Sequence, residues 1–187
     1  MAFRRPKILV LLIILSVALP GCSDFRSIFN GKSSHKVAKR KKHPKRTKRR
    51  NQPMPKQAKG YFIWPLKAPL SSLYGPRGKR FHDGVDIDGD FGDPIRAAAA
   101  GNVVFSGALG GYGKLVVIKH SNGFFTAYAH NKKNLVKRGK FVRKGDHVAV
   151  VGSTGRSTGS HLHFEIRDKN GTYNPLDFLP KQRYSRK

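Results

Sequence analysis

The feature that most constrains the fold is a series of short apolar runs that begins at Tyr61, each closed by a turn-forming residue. The runs are rich in Val, Ile, Phe and Tyr, and they read GVDID, NVVFSG, KLVVIKH, FFTAYAH, DHVAVVG and HLHFEIRD. This pattern predicts many short strands joined by turns. No long helical period is present, since PIRAAAAG is short and ends in Gly. We therefore expect one mainly β, mostly antiparallel domain over residues 61–180, because about 120 residues can bury a core.

Charge is distributed unevenly along the 187 residues, which carry a formal net charge of +28. Nine of the ten acidic residues lie between Asp83 and Asp177, whereas residues 31–60 are almost all Lys, Arg and small polar residues. This segment has little apolar surface to bury and its like charges repel, so we expect residues 22–60 to be a disordered tether. Residues 181–187 form a second, short basic tail.

The basic segment has three possible roles. It can be a solvated tether, a surface that adheres to anionic envelope polymers or lipids, or a nucleic-acid-binding arm. No aromatic residue is interleaved in residues 31–60, so bases would find no stacking platform. A tether with anionic adhesion is the preferred interpretation, and nucleic acid is disfavoured as a partner.

The N-terminus has the pattern of an export signal. Basic MAFRRPK is followed by an apolar run of twelve at residues 8–19, which is short for a bilayer span and typical of a signal-peptide core. The next residues, LPGC, resemble the bacterial lipobox, which implies that residues 1–21 are removed and that Cys22 is lipidated. An ordinary secretory signal with a chance cysteine is the alternative.

The lipobox resemblance also predicts a location. Ser23 follows the cysteine, and by resemblance to Gram-negative lipoproteins this favours the outer membrane, facing the periplasm, although inner and outer membrane stay open. We expect a membrane-anchored protein of the cell envelope. Cys22 is the only cysteine, which excludes an internal disulfide and a CxxC-type zinc site.

The strand HLHFEIRD has two different faces. Side chains alternate along a strand, so His161, His163 and Glu165 share one face. The opposite face is apolar and predicts core packing; it carries Leu162, Phe164 and Ile166. From the strand alone, the two imidazoles can be spectators or part of a metal site, and Glu165 can be a partner of the site or a solvent-facing carboxylate.

A second stretch, RFHDGVDID, supplies further candidate ligands. His82 and Asp86 are four residues apart, and an imidazole and a carboxylate are both reasonable zinc ligands. The His-x-His strand can supply a third ligand, and three protein ligands leave the fourth position for water, as in catalytic zinc sites. A further histidine, His130, ends FFTAYAH.

Three elements in this order resemble the lysostaphin-like, or LytM-type, zinc endopeptidases of bacterial cell walls. They are HDGVDID, AYAH and GSTGRSTGSHLHFEI, and the resemblance runs from about Trp64 to Leu179. It implies a folded antiparallel sheet with zinc in a groove walled by loops, and peptidoglycan as the substrate. The segment HNKKN departs from the family after His130, where it would line the groove and alter substrate preference.

The resemblance also assigns roles. His82, Asp86 and His163 match the zinc ligands, and His130 and His161 match the catalytic pair beside the metal-bound water. Zinc would lower the pKa of that water and polarise the scissile carbonyl. The sequence does not decide which of the two imidazoles is the general base.

The sequence is compatible with three functions. The first is a zinc endopeptidase that cuts peptidoglycan cross-links, with the D-alanyl–diaminopimelate bond favoured by the Gram-negative lipoprotein features. The second is a non-catalytic relative that activates a cell-wall amidase, and the third is an envelope-binding module. Degenerate members of the family lack ligands or catalytic histidines, whereas all five matching residues are present here, which favours the enzyme. The exact bond, an added activator role and the oligomeric state stay open.

The remaining polar residues have simpler explanations. His120 precedes the turn HSNG, and we expect it to make a structural hydrogen bond. His147 alternates with an apolar neighbour on a strand, and we expect it to face water. The aspartates of DGDFGD fit no EF-hand spacing, so turn formation explains them better.

Overall fold

The computed structural model describes residues 60–78 and 80–181. The predictions made for the signal segment, for Cys22, for the basic segment to residue 59 and for the tail beyond residue 181 lie outside these residues. Within the described ranges, no helix has the length and apolar character that a membrane crossing requires.

The described residues form thirteen short strands and two 3-10 turns, which are joined by loops, and they contain no α-helix. The 3-10 turns are Gly110–Tyr112 and Pro175–Asp177. The strands are β1 Leu70–Ser72, β2 Gly75–Arg77, β3 Arg80–His82, β4 Val85–Ile87, β5 Pro94–Arg96, β6 Gly101–Ala108, β7 Lys114–Lys119, β8 Phe125–Asn131, β9 Lys133–Asn134, β10 Phe141–Val142, β11 His147–Val150, β12 Leu162–Asp168 and β13 Gly171–Tyr173.

The strands form three sheets. The main sheet has the order β1-β4-β12-β8-β7-β6-β10, with β13 paired to β12 beside this path. A three-stranded sheet has the order β5-β11-β9, and β2 pairs with β3 as a hairpin. Every strand pair is antiparallel, which confirms the predicted fold class.

The principal core lies between the main sheet and the three-stranded sheet. From β12 it receives Leu162, Phe164 and Ile166, each fully buried, so the predicted apolar face of HLHFEIRD is confirmed. The three-stranded sheet and its flanks contribute Ile95, Val148, Ala149 and Val151 to the same cluster.

A smaller cluster covers the opposite face of the central strands. It consists of Leu115, Val117, Phe125, Ala127 and Ala129, against which Phe105 and Tyr112 pack. Strands β7, β8 and β12 are therefore enclosed on both faces, and polar side chains that point into this layer need partners within the protein.

Candidate metal centre and flanking histidines

Two neighbouring strands and one hairpin bring the predicted ligands together. His163 of β12 and Asp86 of β4 are direct partners in the antiparallel ladder, so their side chains lie on the same face. His82 ends β3, and the chain reaches β4 through a turn that passes very close to β12. A Cβ at Gly84 would lie 2.3 Å from the carbonyl oxygen of Phe164, so only glycine allows this approach.

The three candidate ligand atoms form a compact triangle. His82 Nε2 lies 3.0 Å from Asp86 Oδ1 and 3.1 Å from His163 Nδ1, and the last two atoms are 2.8 Å apart. Tetrahedral zinc ligands at their usual bond lengths would lie about 3.3 Å from one another. A small expansion therefore accommodates zinc. Among the described residues, no other group of three His, Cys, Asp or Glu side chains converges in this way.

The hydrogen bonds of the triangle shift the pKa values of Asp86 and His163 in opposite directions. Burial raises the pKa of Asp86, but hydrogen bonds from His163, His82 and Arg77 outweigh it and hold that pKa well below its usual range. Burial lowers the pKa of His163, but its hydrogen bonds to Asp86 and Glu165 raise that pKa to about 9. A metal ion that binds here must displace the His163 proton, so binding would release it.

Glu165 holds His163 from behind. The His163 Nε2–H donates to Glu165 Oε1 over 3.1 Å, and the same oxygen accepts from the Tyr112 hydroxyl at 2.8 Å. Arg167 donates to the other carboxylate oxygen at 2.9 Å. Burial raises the pKa of Glu165, but these partners lower it below its ordinary value. Glu165 is fully buried, so the solvent-facing alternative is wrong, and its hydrogen bond occupies Nε2, which makes Nδ1 the atom of His163 that can bind a metal.

His82 is oriented by its neighbours. Its Nδ1 lies 2.7 Å from the carbonyl oxygen of Leu73 and 2.8 Å from the Arg77 guanidinium, and its Nε2 is directed at Asp86. Both imidazoles of the triangle therefore have one nitrogen fixed by a neighbour and the other available as a ligand, which is the usual arrangement of metal-binding histidines.

His130 lies beside the triangle in an unusual backbone conformation. It has a φ of 62°, in the left-handed region that non-glycine residues seldom adopt. Its Nδ1–H donates to the carbonyl oxygen of Thr154 over 2.7 Å, so Nε2 carries the lone pair. Burial lowers the pKa of His130 to about 4, and the side chain is therefore neutral near pH 7.

His161 completes the group from just before β12. Its Nδ1–H donates to the carbonyl oxygen of Gly159 over 3.0 Å, with the Ser157 hydroxyl 3.2 Å away. Its Nε2 lies 3.8 Å from Asp86 Oδ1, and the ring centroids of His161 and His130 are 4.8 Å apart. The structure thus brings all five predicted side chains together.

Two glycine-rich segments pack against each other beside the site. The Arg156 amide donates to the Gly111 carbonyl over 2.8 Å, and a Cβ at Gly155 would lie 2.3 Å from the Gly113 nitrogen. This contact holds the turn that directs Tyr112 at Glu165. No local sequence pattern predicts this partnership, because Tyr112 lies 53 residues from Glu165 within a short GGYG segment.

The segment after His130 differs from expectation. Asn131 is the last residue of β8 and is fully buried, and its side-chain amide donates to Tyr128 O and Asn134 Oδ1, both at 2.9 Å. Residues 133–134 form β9. HNKKN therefore enters the three-stranded sheet, so it is not a loop throughout, and its asparagines stabilise the fold.

The simpler explanations for other polar residues hold. His120 is buried, and its ring contacts Ala100 O at 2.8 Å and Thr126 Oγ1 at 2.9 Å, as a structural histidine would. His147 is exposed, as predicted. The Asp90 amide donates to the Asp93 carboxylate at 3.0 Å, which confirms the turn in DGDFGD.

Comparison with protein families gives one match that covers the site. The model of peptidase family M23 matches residues 80–175, just over half of the chain. All five site residues fall within the matched range, together with Tyr112 and Glu165.

Two curated bacterial relatives are similar over most of the described domain. A lipoprotein NlpD/LppB homolog of Pseudomonas aeruginosa is 40% identical over 126 residues, which are 67% of this chain and 42% of the relative. The murein hydrolase activator NlpD of Escherichia coli is 42% identical over 120 residues, which are 64% of this chain and 31% of the relative. The chain thus spans less than half the length of either relative.

Solved structures show the same fold in peptidases. The catalytic domain of lysostaphin from Staphylococcus simulans matches with a TM-score of 0.56 and 30% identity, over 59% of this chain and 91% of that one. A zinc-containing peptidase from Vibrio cholerae matches with a TM-score of 0.59 and 30% identity, over 63% of this chain and 40% of that one.

Proposed function

The chain belongs to peptidase family M23, and from that premise we propose that it is a zinc-dependent endopeptidase that hydrolyses peptide cross-links of bacterial peptidoglycan. The observation that carries this proposal is the convergence of three candidate ligands and two further histidines on one point. The complete set of five favours catalysis, because a purely structural site would have no use for two additional imidazoles with free Nε2 atoms.

Zinc suits the donor set. Two imidazoles and one carboxylate are ligands that zinc accepts, and a set of three protein ligands is typical of catalytic sites, which keep one position open. The V. cholerae structure, described as a zinc-containing peptidase, supports this choice. Zinc held by His82, Asp86 and His163 would lower the pKa of a water molecule and polarise a peptide carbonyl.

The two flanking histidines handle protons. His161 Nε2 has its lone pair free, because Nδ1–H is committed to Gly159, so it can accept the proton of an attacking water. His130 also presents an unprotonated Nε2, because Nδ1–H is committed to Thr154. His130 can donate to an oxyanion or to a leaving amine only after that nitrogen has gained a proton, and its lowered pKa makes the donation favourable.

A second candidate function is activation of a separate murein hydrolase. The E. coli relative is described as a murein hydrolase activator, and at 42% identity the sequence relatives support this role better than they support the endopeptidase. The residue set of the site supports the endopeptidase. An activator would use the same domain as a docking surface and would need no turnover at the histidines.

The proposal includes a place in the cell. The name of the P. aeruginosa relative supports a lipoprotein of the cell envelope. Lipidation at Cys22, an outer-membrane location facing the periplasm, and adhesion of residues 31–60 to anionic polymers or lipids extend that proposal. A Cys22→Ser variant that still fractionates with membranes after normal processing would contradict the anchor.

One experiment separates the two functions. The full chain is assayed for zinc stoichiometry, for release of peptides from purified peptidoglycan, and for stimulation of a purified cell-wall amidase. The endopeptidase predicts about one zinc per chain and peptide release that a chelator abolishes and zinc restores. Amidase stimulation that is insensitive to the chelator, without peptide release, would replace the endopeptidase with the activator.

A further inference from the structure

A strongly basic surface lies around the edge strand β10. In the main sheet, β8, β7 and β6 separate this strand from the metal-site strands β4 and β12. Five cations occur within eight residues, without an acid among them, and all are exposed. Phe141 lies in their midst with 58% of its surface exposed. We call this surface the β10 patch, which comprises Lys137, Arg138, Lys140, Phe141, Arg143 and Lys144.

The fold fixes the patch rather than leaving it on a loose loop. Phe141 pairs with Asn102 of β6, and Val142, its neighbour in β10, is buried in the core. The Val103 amide donates to the Lys140 carbonyl over 2.8 Å, and the Gly139 amide donates to the Val103 carbonyl over the same distance. The cations are therefore presented from a defined backbone.

The charge of the patch is not neutralised nearby. Asp146 is the closest acid along the chain, and its carboxylate accepts from the backbone amide of Arg143 at 2.8 Å. Among the residues that the structure describes, none of the five cations forms an ion pair within 4.0 Å. Lys119 adds a further exposed cation, because Phe141, Asn102 and Lys119 lie in one row across β10, β6 and β7.

A second exposed phenylalanine provides a contrast within the same domain. Phe91 is 61% exposed and lies between Asp90 and Asp93, with Lys132 Nζ 4.4 Å from its ring centroid, whereas Phe141 is flanked by Lys140 and Arg143. An exposed ring surrounded by cations suits an anionic lipid surface, where the ring enters the headgroup region and the cations face phosphates. Two carboxylates against one ammonium leave the surroundings of Phe91 without an excess of positive charge, so they would not attract the same surface.

We propose that the β10 patch docks the domain on an anionic phospholipid bilayer. The lipoprotein relative supports a membrane close to the domain, and β8, β7 and β6 lie between the metal-site strands and β10 in the main sheet. Docking through this edge orients the domain on the membrane, and it adds to any contact made by residues 31–60. It does not depend on whether the site hydrolyses peptidoglycan.

The test uses the full, membrane-anchored chain in vesicles that contain a nitroxide-labelled lipid. An environment-sensitive dye is attached at Phe141→Cys, and a matched variant carries the dye at Phe91→Cys. The parent protein, whose only cysteine is Cys22, controls for labelling. In vesicles of phosphatidylethanolamine and phosphatidylglycerol, the dye at position 141 should be quenched and its emission shifted to the blue. The dye at position 91 should stay in water.

Charge variants show whether the patch itself is responsible. Each basic residue near an anionic surface contributes about fivefold to partitioning, so Lys140→Gln with Arg143→Gln should weaken docking roughly 20- to 30-fold. Lys67→Gln with Lys169→Gln removes the same charge from exposed positions outside the patch, and it should change docking by less than about threefold. Zinc stoichiometry and thermal stability equal to those of the parent protein exclude misfolding as the cause of weaker docking in either double variant.

Several results would overturn the proposal. The dye at position 141 could stay unquenched in anionic vesicles, or both dyes could be quenched equally, which indicates contact without orientation. Equal quenching in phosphatidylcholine vesicles would exclude recognition of anionic lipid. A response of the position-141 dye to soluble polyphosphate or to purified peptidoglycan, without quenching by lipid, would make a polymer the partner.

Discussion

The three side chains matched to metal ligands and the two histidines beside them lie in one small region, yet they are held in different ways. His82, Asp86 and His163 contact one another directly, and His163 also contacts buried Glu165. His130 and His161 are each oriented by a single backbone carbonyl, that of Thr154 and that of Gly159.

This difference shows how one strand can serve two purposes. In the triangle, each side chain is a partner of the others, so loss of one leaves the rest with unpaired buried polar atoms. In the flanking pair, orientation comes from the main chain, so loss of one imidazole should leave the triangle intact. Substitutions of His161 and His163, which are two residues apart, should therefore have different effects on metal binding.

The largest effect is expected from His163→Ala. It removes one of three ligands and leaves Asp86 and Glu165 without their shared partner. Loss of a partner behind a ligand already costs about 10–100-fold in metal affinity, so loss of the ligand itself should exceed roughly 100-fold and abolish activity. Zinc competition titration and peptide release measure both effects. His147→Ala, which removes an exposed imidazole, is the matched control, and zinc binding that survives His163→Ala would refute the assignment.

His161→Ala should separate chemistry from metal binding. The triangle keeps all three ligands, so zinc stoichiometry should be unchanged, while turnover should fall about 10²–10⁴-fold as is usual for a lost general acid or base. Mass spectrometry of the intact complex and the peptidoglycan assay provide the readouts. If His161→Ala loses zinc as His163→Ala does, the two roles are misassigned; if turnover is unchanged, His161 takes no part in the reaction.

Glu165→Gln tests the support behind the triangle with a smaller change. The side-chain shape is preserved and the negative charge is lost, so the His163 Nε2–H has a weaker acceptor and Arg167 loses its ion pair. We expect zinc affinity to fall about 10–100-fold with the fold retained. Asp177→Asn, which removes an exposed carboxylate elsewhere, controls for net charge. An unchanged affinity with normal stability would limit Glu165 to a packing role.

The sequence predicted the triangle better than its support, and the reason is physical. Ligand types and the period of two along HLHFEIRD are local properties, and they correctly placed Leu162, Phe164 and Ile166 in the core. The burial of Glu165 depends on the smaller apolar cluster and on Tyr112, which reaches it from a distant turn. No local pattern encodes that contact.

The asparagines after His130 show the same limit. A polar run such as HNKKN is typical of a loop, yet β9 and the fully buried Asn131 belong to the ordered framework. The side-chain nitrogen of Asn131 is satisfied by the bonds that it donates to Tyr128 O and Asn134. Such pairing becomes visible only when strands that are far apart in sequence are assembled.

The smallest predicted effect extends the comparison to His120, a buried histidine outside the site. Burial lowers its pKa to about 4, whereas an unfolded histidine titrates near pH 6.5. Between these values the unfolded chain binds the additional proton, so the contribution of His120 to stability is lost as pH falls from about 6.5 toward 4.

At pH 7.5, His120→Asn should cost about 1–3 kcal/mol, because the bond to Thr126 is lost. By pH 5 this gap, the difference in free energy of unfolding between the parent protein and the variant, should narrow by about 1–2 kcal/mol. The reason is that the variant has no imidazole to protonate on unfolding. Urea unfolding at both pH values measures the gap, with His147→Asn as an exposed control. A gap that widens on acidification would mean that the folded protein stabilises the His120 cation, contrary to its apolar surroundings.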